Sequence, residues 1–185
     1  MKTVRLGKTG LQVSRIGFGS IPIQRLSEAE AIRVVQRCLE LGVTFFDTAN
    51  SYTTSEARIG KALAAWGGRR EQVIVATKTP ARDRATALEH LELSLRRLKV
   101  EFIDLWQLHN VSSAEAFEEV LGPGGALEAV HQALESGKVR HVGISSHSME
   151  MALEAVRSGL FETIQFPFNF VANEAAEELL PLALE

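Results

Sequence analysis

The sequence predicts an α/β chain of the (β/α)8 TIM-barrel type, with six of the eight βα units present and a β-hairpin ahead of them. Three observations carry that expectation. Short β-branched and aromatic runs alternate with apolar stripes spaced three and four residues apart, mostly at intervals of roughly thirty residues, as strand–helix units of a parallel sheet do. One face of each strand run is apolar throughout, whereas the other turns polar only at its C-terminal end. No composition shift or low-complexity stretch marks a linker, so residues 1–185 read as one domain.

The elements follow in order. Residues 4–6 and 11–13 flank Gly7-Lys8-Thr9-Gly10 as a hairpin with a glycine-containing turn. Residues 16–19 form a short first strand. Ser27 with Glu30 three positions on is a capping box. It opens a helix striped by Ala31, Ile32, Val35, Cys38 and Leu39, which ends near Gly42. Residues 44–47 are strand two, and residues 55–66 a helix with Ile59, Gly60 and Leu63 facing inward. Residues 73–78 are strand three. The helix over residues 84–98 carries Leu88, Leu91, Leu95 and Leu98 on one stripe, and residues 102–109 are strand four.

Residues 112–125 read as the longest loop, with Gly122-Pro123-Gly124-Gly125 at its end, and a helix with Leu127, Val130 and Leu134 follows. Residues 141–145 are strand five. Ser148 caps a helix bearing Ala152, Leu153, Val156 and Leu160. Residues 163–167 are strand six, and residues 174–184 a last helical stretch. Arg69-Arg70-Glu71 reads as a solvated turn, His90 and His131 as solvated helix positions, and His141 as structural. Trp66 and Trp106 read as helix–sheet packing.

The faces decide between an open sheet and a barrel. Residues two apart in a strand share a face. One set collects Asp47, Lys78, Gln107, His109, Ser145 and Gln165, while the other is Phe46, Val73, Val75, Trp106, Leu108, Val142, Ile144, Ile164 and Phe166. An open α/β sheet wants both faces apolar. A barrel wants a filled interior with reactive groups at its C-terminal rim. Gly17-Phe18-Gly19-Ser20 lacks the third glycine of a GxGxxG dinucleotide fingerprint. It reads instead as a tight turn near the barrel mouth.

Composition excludes several classes. An apolar fraction of 45%, a charged fraction of 23% and a net charge of −3 with both signs interspersed give no footprint for nucleic acid or an anionic membrane. No apolar run approaches the ~18 residues of a membrane span, and no signal-peptide core opens the chain. The single cysteine, Cys38, falls on a helix's apolar stripe, which fits a reducing cytoplasmic setting. No His-x-His or carboxylate cluster has metal-ligand spacing.

Thr44-Phe45-Phe46-Asp47-Thr48-Ala49-Asn50-Ser51-Tyr52 places a carboxylate at a strand end and a phenol on the loop beyond it. Lys78 and His109 end the next two strands, so the four should converge. A buried lysine must be paired or deprotonated, and Asp47 is its nearest candidate partner. A lysine cation beside a tyrosine favours the phenolate, so Tyr52 is expected as a general acid of lowered pKa. His109 is suited to hold a carbonyl oxygen. Such a set suits putting a proton on an oxygen that gains negative charge as hydride adds to a carbonyl. His147 falls on the rim loop, within reach of a ligand.

These residues resemble the aldo-keto reductase family, in its bacterial branch. The matching motifs are Asp47-Thr48-Ala49-x-x-Tyr52, Ser55-Glu56, Gly60-x-Ala62-Leu63, Ala76-Thr77-Lys78, Asp104-Leu105-x-x-Leu108-His109, Gly143-Ile144-Ser145 and Gln165. The resemblance implies a tetrad of Asp47, Tyr52, Lys78 and His109, reducing an aldehyde or ketone with NADPH, or with NADH as the alternative. It implies that Ser145 and Gln165 hold the nicotinamide carboxamide, with Ser146 where the family often has asparagine. Gly19 and Ser20 would line the mouth, with Asp47 beside the cofactor. Gln165 equally fits a barrel-filling amide.

A full barrel of this type takes about 250 residues, so strands one and six are expected as unpaired edges open to self-association. This chain alone is expected to bind NADPH weakly or not at all, because the family grips the cofactor's phosphates and adenosine from later strands. Two rival functions stay open. One is a non-catalytic binding or regulatory subunit. The other is a Schiff-base lysine enzyme, which a charged Lys78 beside Asp47 disfavours.

Overall fold

The computed structural model describes residues 1–68 and 70–184. Strands β1 (Thr3–Arg5) and β2 (Gln12–Ser14) form an antiparallel hairpin around a 3-10 turn at Gly7–Thr9. The main sheet follows, interleaved with helices: β3 (Phe18–Gly19), α1 (Glu28–Glu40), β4 (Phe45–Asp47), α2 (Ser55–Trp66), β5 (Ile74–Thr79) and α3 (Arg84–Leu98). Then come β6 (Ile103–Leu108), α4 (Ala114–Leu121), α5 (Ala126–Glu135), β7 (Val139–Ser145), α6 (Met149–Ser158), β8 (Thr163–Gln165) and α7 (Leu179–Leu184). The six strands β3 to β8 pair in sequence order and are all parallel, giving a curled sheet of the TIM-barrel kind.

Local chemistry sets the helix bounds. Ser27 and Glu30 make the reciprocal capping box at α1. Asp83, Ser113 and Ser148 accept from the third residue of α3, α4 and α6. Gly67 and Gly159 end α2 and α6 in the left-handed conformation that glycine adopts without a Cβ penalty.

The apolar strand face packs under the helices as expected: Phe46, Val75, Trp106, Leu108 and Ile144 are buried with Val35, Ile59, Leu91, Leu98 and Val130 in one core. Burial of this kind is the main stabilising term, at roughly 25 cal/mol per Å² of apolar surface.

Three local expectations are corrected. Residues 112–125 are not a bare loop, because α4 occupies most of them, with Phe117 and Val120 buried. Arg70 is not a solvated turn residue: it donates to Asp104 at 2.6 Å and to the carbonyls of Val73 and Phe102. Glu71 is exposed, and Arg69 lies outside the described residues. His90 is half-buried, with Nδ1 2.9 Å from the Thr79 hydroxyl. Among the described residues, no helix is long and apolar enough to cross a membrane and no cluster of His, Cys, Asp and Glu could hold a metal ion.

Candidate active site

The parallel register brings the polar strand ends together. Gly19 pairs with Asp47, Asp47 with Ala76, Lys78 with Gln107, Gln107 with Gly143, and Ser145 with Gln165. Backbone bonds continue past the strand ends and fix the rim loops. Thr48 N–H donates to Ala76 O, Asn50 N–H to Lys78 O, His109 N–H to Thr79 O, and Ser146 N–H to Gln165 O.

Lys78 is 2% exposed, and its ammonium donates to Asp47 Oδ1 at 2.6 Å and to Thr48 O at 2.8 Å. The expected pair is therefore formed. Burial pulls the lysine below its ordinary range, while the charge and hydrogen bond of Asp47 pull it back up. The ammonium lies 5.5 Å from the Tyr52 ring centroid, and the Tyr52 and His109 rings meet edge to face at 5.7 Å. Tyr52, Lys78, His109, Ser145, Ser146, His147 and Gln165 line one cavity of about 190 Å³, together with Phe166 and Pro167.

The electrostatics correct one expectation. The Tyr52 phenol is not shifted toward the phenolate; burial pushes it above its ordinary value, and the Asp47 carboxylate adds to the rise. The cation that was to lower it is engaged by Asp47. His109 moves the other way. Burial first, then the charges of Lys78, Arg82 and His147, bring it down to about 4, so the imidazole is neutral at physiological pH. Ser51 Oγ lies 3.4 Å from His109 Nδ1. A Ser51 hydroxyl that donates to Nδ1 goes with a ring proton on Nε2, and one that accepts goes with a proton on Nδ1.

The remaining rim residues divide. Ser145 Oγ accepts from Asn110 N–H, which leaves its own proton to donate. Gln165 is exposed, and its Oε1 faces Gln107 Nε2 at 3.3 Å, leaving its amide protons for a ligand. Ser146 is buried, and its hydroxyl donates to Ser148 O while accepting from Ser148 N–H, so that side chain closes the loop into α6. Gly19 is exposed beside Asp47. Ser20 does not present its side chain to the mouth: it is 1% exposed, donates to Asp47 O at 2.6 Å and accepts from Ser55 Oγ.

Sequence reading missed Gln107 as the link between Asp47 Oδ2 (3.5 Å) and Gln165, although its alternation within β6 placed it on the right face. It also missed Asn50, whose amide donates to His90 O and Ser94 Oγ and ties the Tyr52 loop to α3.

Known proteins share this fold. The Aldo/keto reductase family profile matches residues 15–185. The chain is 32% identical over 200 residues to Aldo-keto reductase YhdN of Bacillus subtilis, covering 99% of this chain and 58% of that protein. It is 32% identical over 210 residues to Uncharacterized oxidoreductase YrpG of the same organism, covering 99% of this chain and 63% of that one. The fold superposes on aldo-keto reductase AKR11C1 from Bacillus halodurans, in its holo form, with a TM-score of 0.82 and 31% identity, covering 98% of this chain and 62% of that one. This chain thus spans about three-fifths of the length of these relatives. On the family match and the shared barrel, the chain belongs to the aldo/keto reductase family.

Proposed function

We propose that the protein reduces an aldehyde or ketone to an alcohol with a reduced nicotinamide cofactor, NADPH in the first instance and NADH as the alternative. The observation that carries this reading is the single cavity lined by Tyr52, Lys78 and His109, with Asp47 bonded to the lysine beside it. The donors around it fit the cofactor's nicotinamide end. Ser145 O–H and the Gln165 amide protons suit a carboxamide oxygen, and the ring-sized cavity lies next to them. When bound, that group supplies hydride to a carbonyl carbon.

The chain's own residues would do the rest. A neutral His109 donates from Nε2 to the carbonyl oxygen and orients it. Tyr52 holds its proton at neutral pH, because its pKa is raised, and can give it to an oxygen that becomes an alkoxide, a far stronger base than a phenolate. Lys78 stands close enough to stabilise the tyrosinate that remains, and Asp47 keeps the lysine charged and fixed. Proton transfer of this kind is worth roughly 10²–10⁴ in rate. The two hydrogen bonds from Lys78 also favour a charged lysine over a Schiff-base nucleophile.

The test is Tyr52→Phe in the full polypeptide. Carbonyl reduction falls by roughly 10²–10⁴, while nicotinamide fluorescence reports unchanged cofactor affinity. Turnover at the parental rate would rule Tyr52 out as the proton donor.

A further inference from the structure

Beyond the four rim residues, Arg82, in the loop between β5 and α3, holds the backbone of His109. Its guanidinium forks onto the end of β6, with Nη1 donating to His109 O at 3.0 Å and Nη2 to Asn110 O at 2.8 Å. Asn110 is left-handed, with φ of 53°, a conformation that asparagine adopts more readily than most residues with a side chain. Asn110 N–H donates to Ser145 Oγ, and Val111 N–H to Ser145 O, so the turn is also tied to β7.

Arg82 is itself anchored. Its carbonyl accepts from Ala126 N–H at 2.7 Å, Arg84 N–H donates to Gly124 O, and Asp83 pairs with Gly125. The negative charge of Glu119 on α4 favours the charged arginine, against burial, which lowers its pKa.

We propose that Arg82 is a positioning residue for His109, clamping the His109–Asn110 turn so that the imidazole is held at the cavity mouth. The inference rests on the reading of His109 as the group that orients the substrate carbonyl. A bidentate fork on two successive carbonyls suits arginine and not lysine, whose ammonium is a point charge. The groups facing the imidazole are Lys78 from β5, Arg82 from its loop, His147 from the loop after β7 and the Tyr52 ring from the loop after β4. The Arg82 charge works with burial and Lys78 against protonation of the ring.

The experiment compares Arg82→Met, Arg82→Lys and Glu119→Gln in the full polypeptide, with circular dichroism to establish folding. The His109 ring titration is followed by NMR without cofactor or substrate, and kcat and KM are measured for carbonyl reduction. In Arg82→Met the His109 midpoint rises from about 4 toward the ordinary 6.5. There kcat falls roughly ten- to a hundredfold, the scale of a misplaced group, with KM less affected.

Arg82→Lys keeps the low midpoint but not the full kcat. Glu119→Gln leaves the fork intact and keeps the parental kcat; Arg82→Lys, which keeps the charge and loses the fork, decides the case if Arg82→Met does not fold, and a parental kcat there would overturn the proposal. His109→Gln separates the two readings. Parental turnover in His109→Gln refutes the role of His109, whereas parental turnover in a folded Arg82→Met, with His109→Gln impaired, refutes the clamp alone.

Discussion

Lys78 Nζ and Asp47 Oδ1 lie 2.6 Å apart across two adjacent parallel strands, and the two sides of the pair differ in burial: the lysine side chain is 2% exposed and the aspartate 18%. That asymmetry sets which deletion costs more. Asp47→Ala strands a nearly dry ammonium with one backbone carbonyl, Thr48 O, as its acceptor. The expected loss is about 3–5 kcal/mol, as for a buried pair cut on one side. Lys78→Met leaves a carboxylate that water reaches and that Gln107 also approaches, so it is the milder change. Urea unfolding of both variants checks the order, and a larger loss in Lys78→Met would overturn it.

Tyr52 is the one tyrosine in the sequence, so tyrosinate absorbance titrates this group alone. Burial and the Asp47 carboxylate both push it up, and the expected midpoint lies above the ordinary value of 10.0. Asp47→Asn removes one of those causes, so the midpoint falls relative to the parent. A parental midpoint below 10 would restore the phenolate expectation that the sequence suggests.

That expectation shows where sequence reading runs out. Asp47, Lys78 and His109 can be placed on one rim from strand alternation, because period two and the strand ends fix which side chains point inward, and Tyr52 follows on the loop beyond Asp47. The partition of charge among them cannot. Lys78 spends its charge on whichever neighbour lies nearer, and 2.6 Å to a carboxylate against 5.5 Å to a phenol ring is a matter of coordinates.

The helices divide in the same way. The spans of α2 and α3 were legible because each is long enough for an apolar stripe to repeat several times. The eight residues of α4 hold barely two turns, and the Gly122-Pro123-Gly124-Gly125 run beside them is a stronger loop signal than any periodicity. Ser113 followed by Ala-Glu-Ala-Phe, an N-cap with helix formers after it, was the available clue. Through that gap Glu119, and with it the setting of Arg82, went unread.

His109 links pH to stability with a definite sign. Its folded-state value of about 4 lies below the ordinary 6.5. Between these values the unfolded chain binds the proton and the folded chain does not, so stability rises with pH across that window. Below about pH 4 both states are protonated and the full penalty is present. The urea midpoint of the parent therefore drops between pH 7 and pH 5, and His109→Gln shows a smaller drop. Equal drops in the two proteins would mean that the ring titrates alike in both states.

Gly60 on α2 packs directly against the backbone at the end of α3. A Cβ there would sit 2.3 Å from Arg97 O and 2.7 Å from the carbonyl carbon and oxygen of Leu98, at the end of α3. These are backbone atoms, so no rotamer change relieves the contact. Alanine is the better helix former by about 1 kcal/mol, yet Gly60→Ala is expected to destabilise by roughly 1–3 kcal/mol or more, as overpacking does.

The consequence reaches the loop that carries Tyr52. Arg97 donates to Asn50 O at 3.1 Å and to Glu56 Oε2 at 3.3 Å, and Glu56, buried, takes the Thr77 hydroxyl at 2.7 Å. Pushing α3 away from α2 pulls on the loop that holds Tyr52. Gly60→Ala should therefore lower the thermal midpoint and, at temperatures where it stays folded, lower kcat for carbonyl reduction. A stabilised variant with parental kcat would show that the two helices have room to part, and that the Tyr52 loop does not depend on their contact.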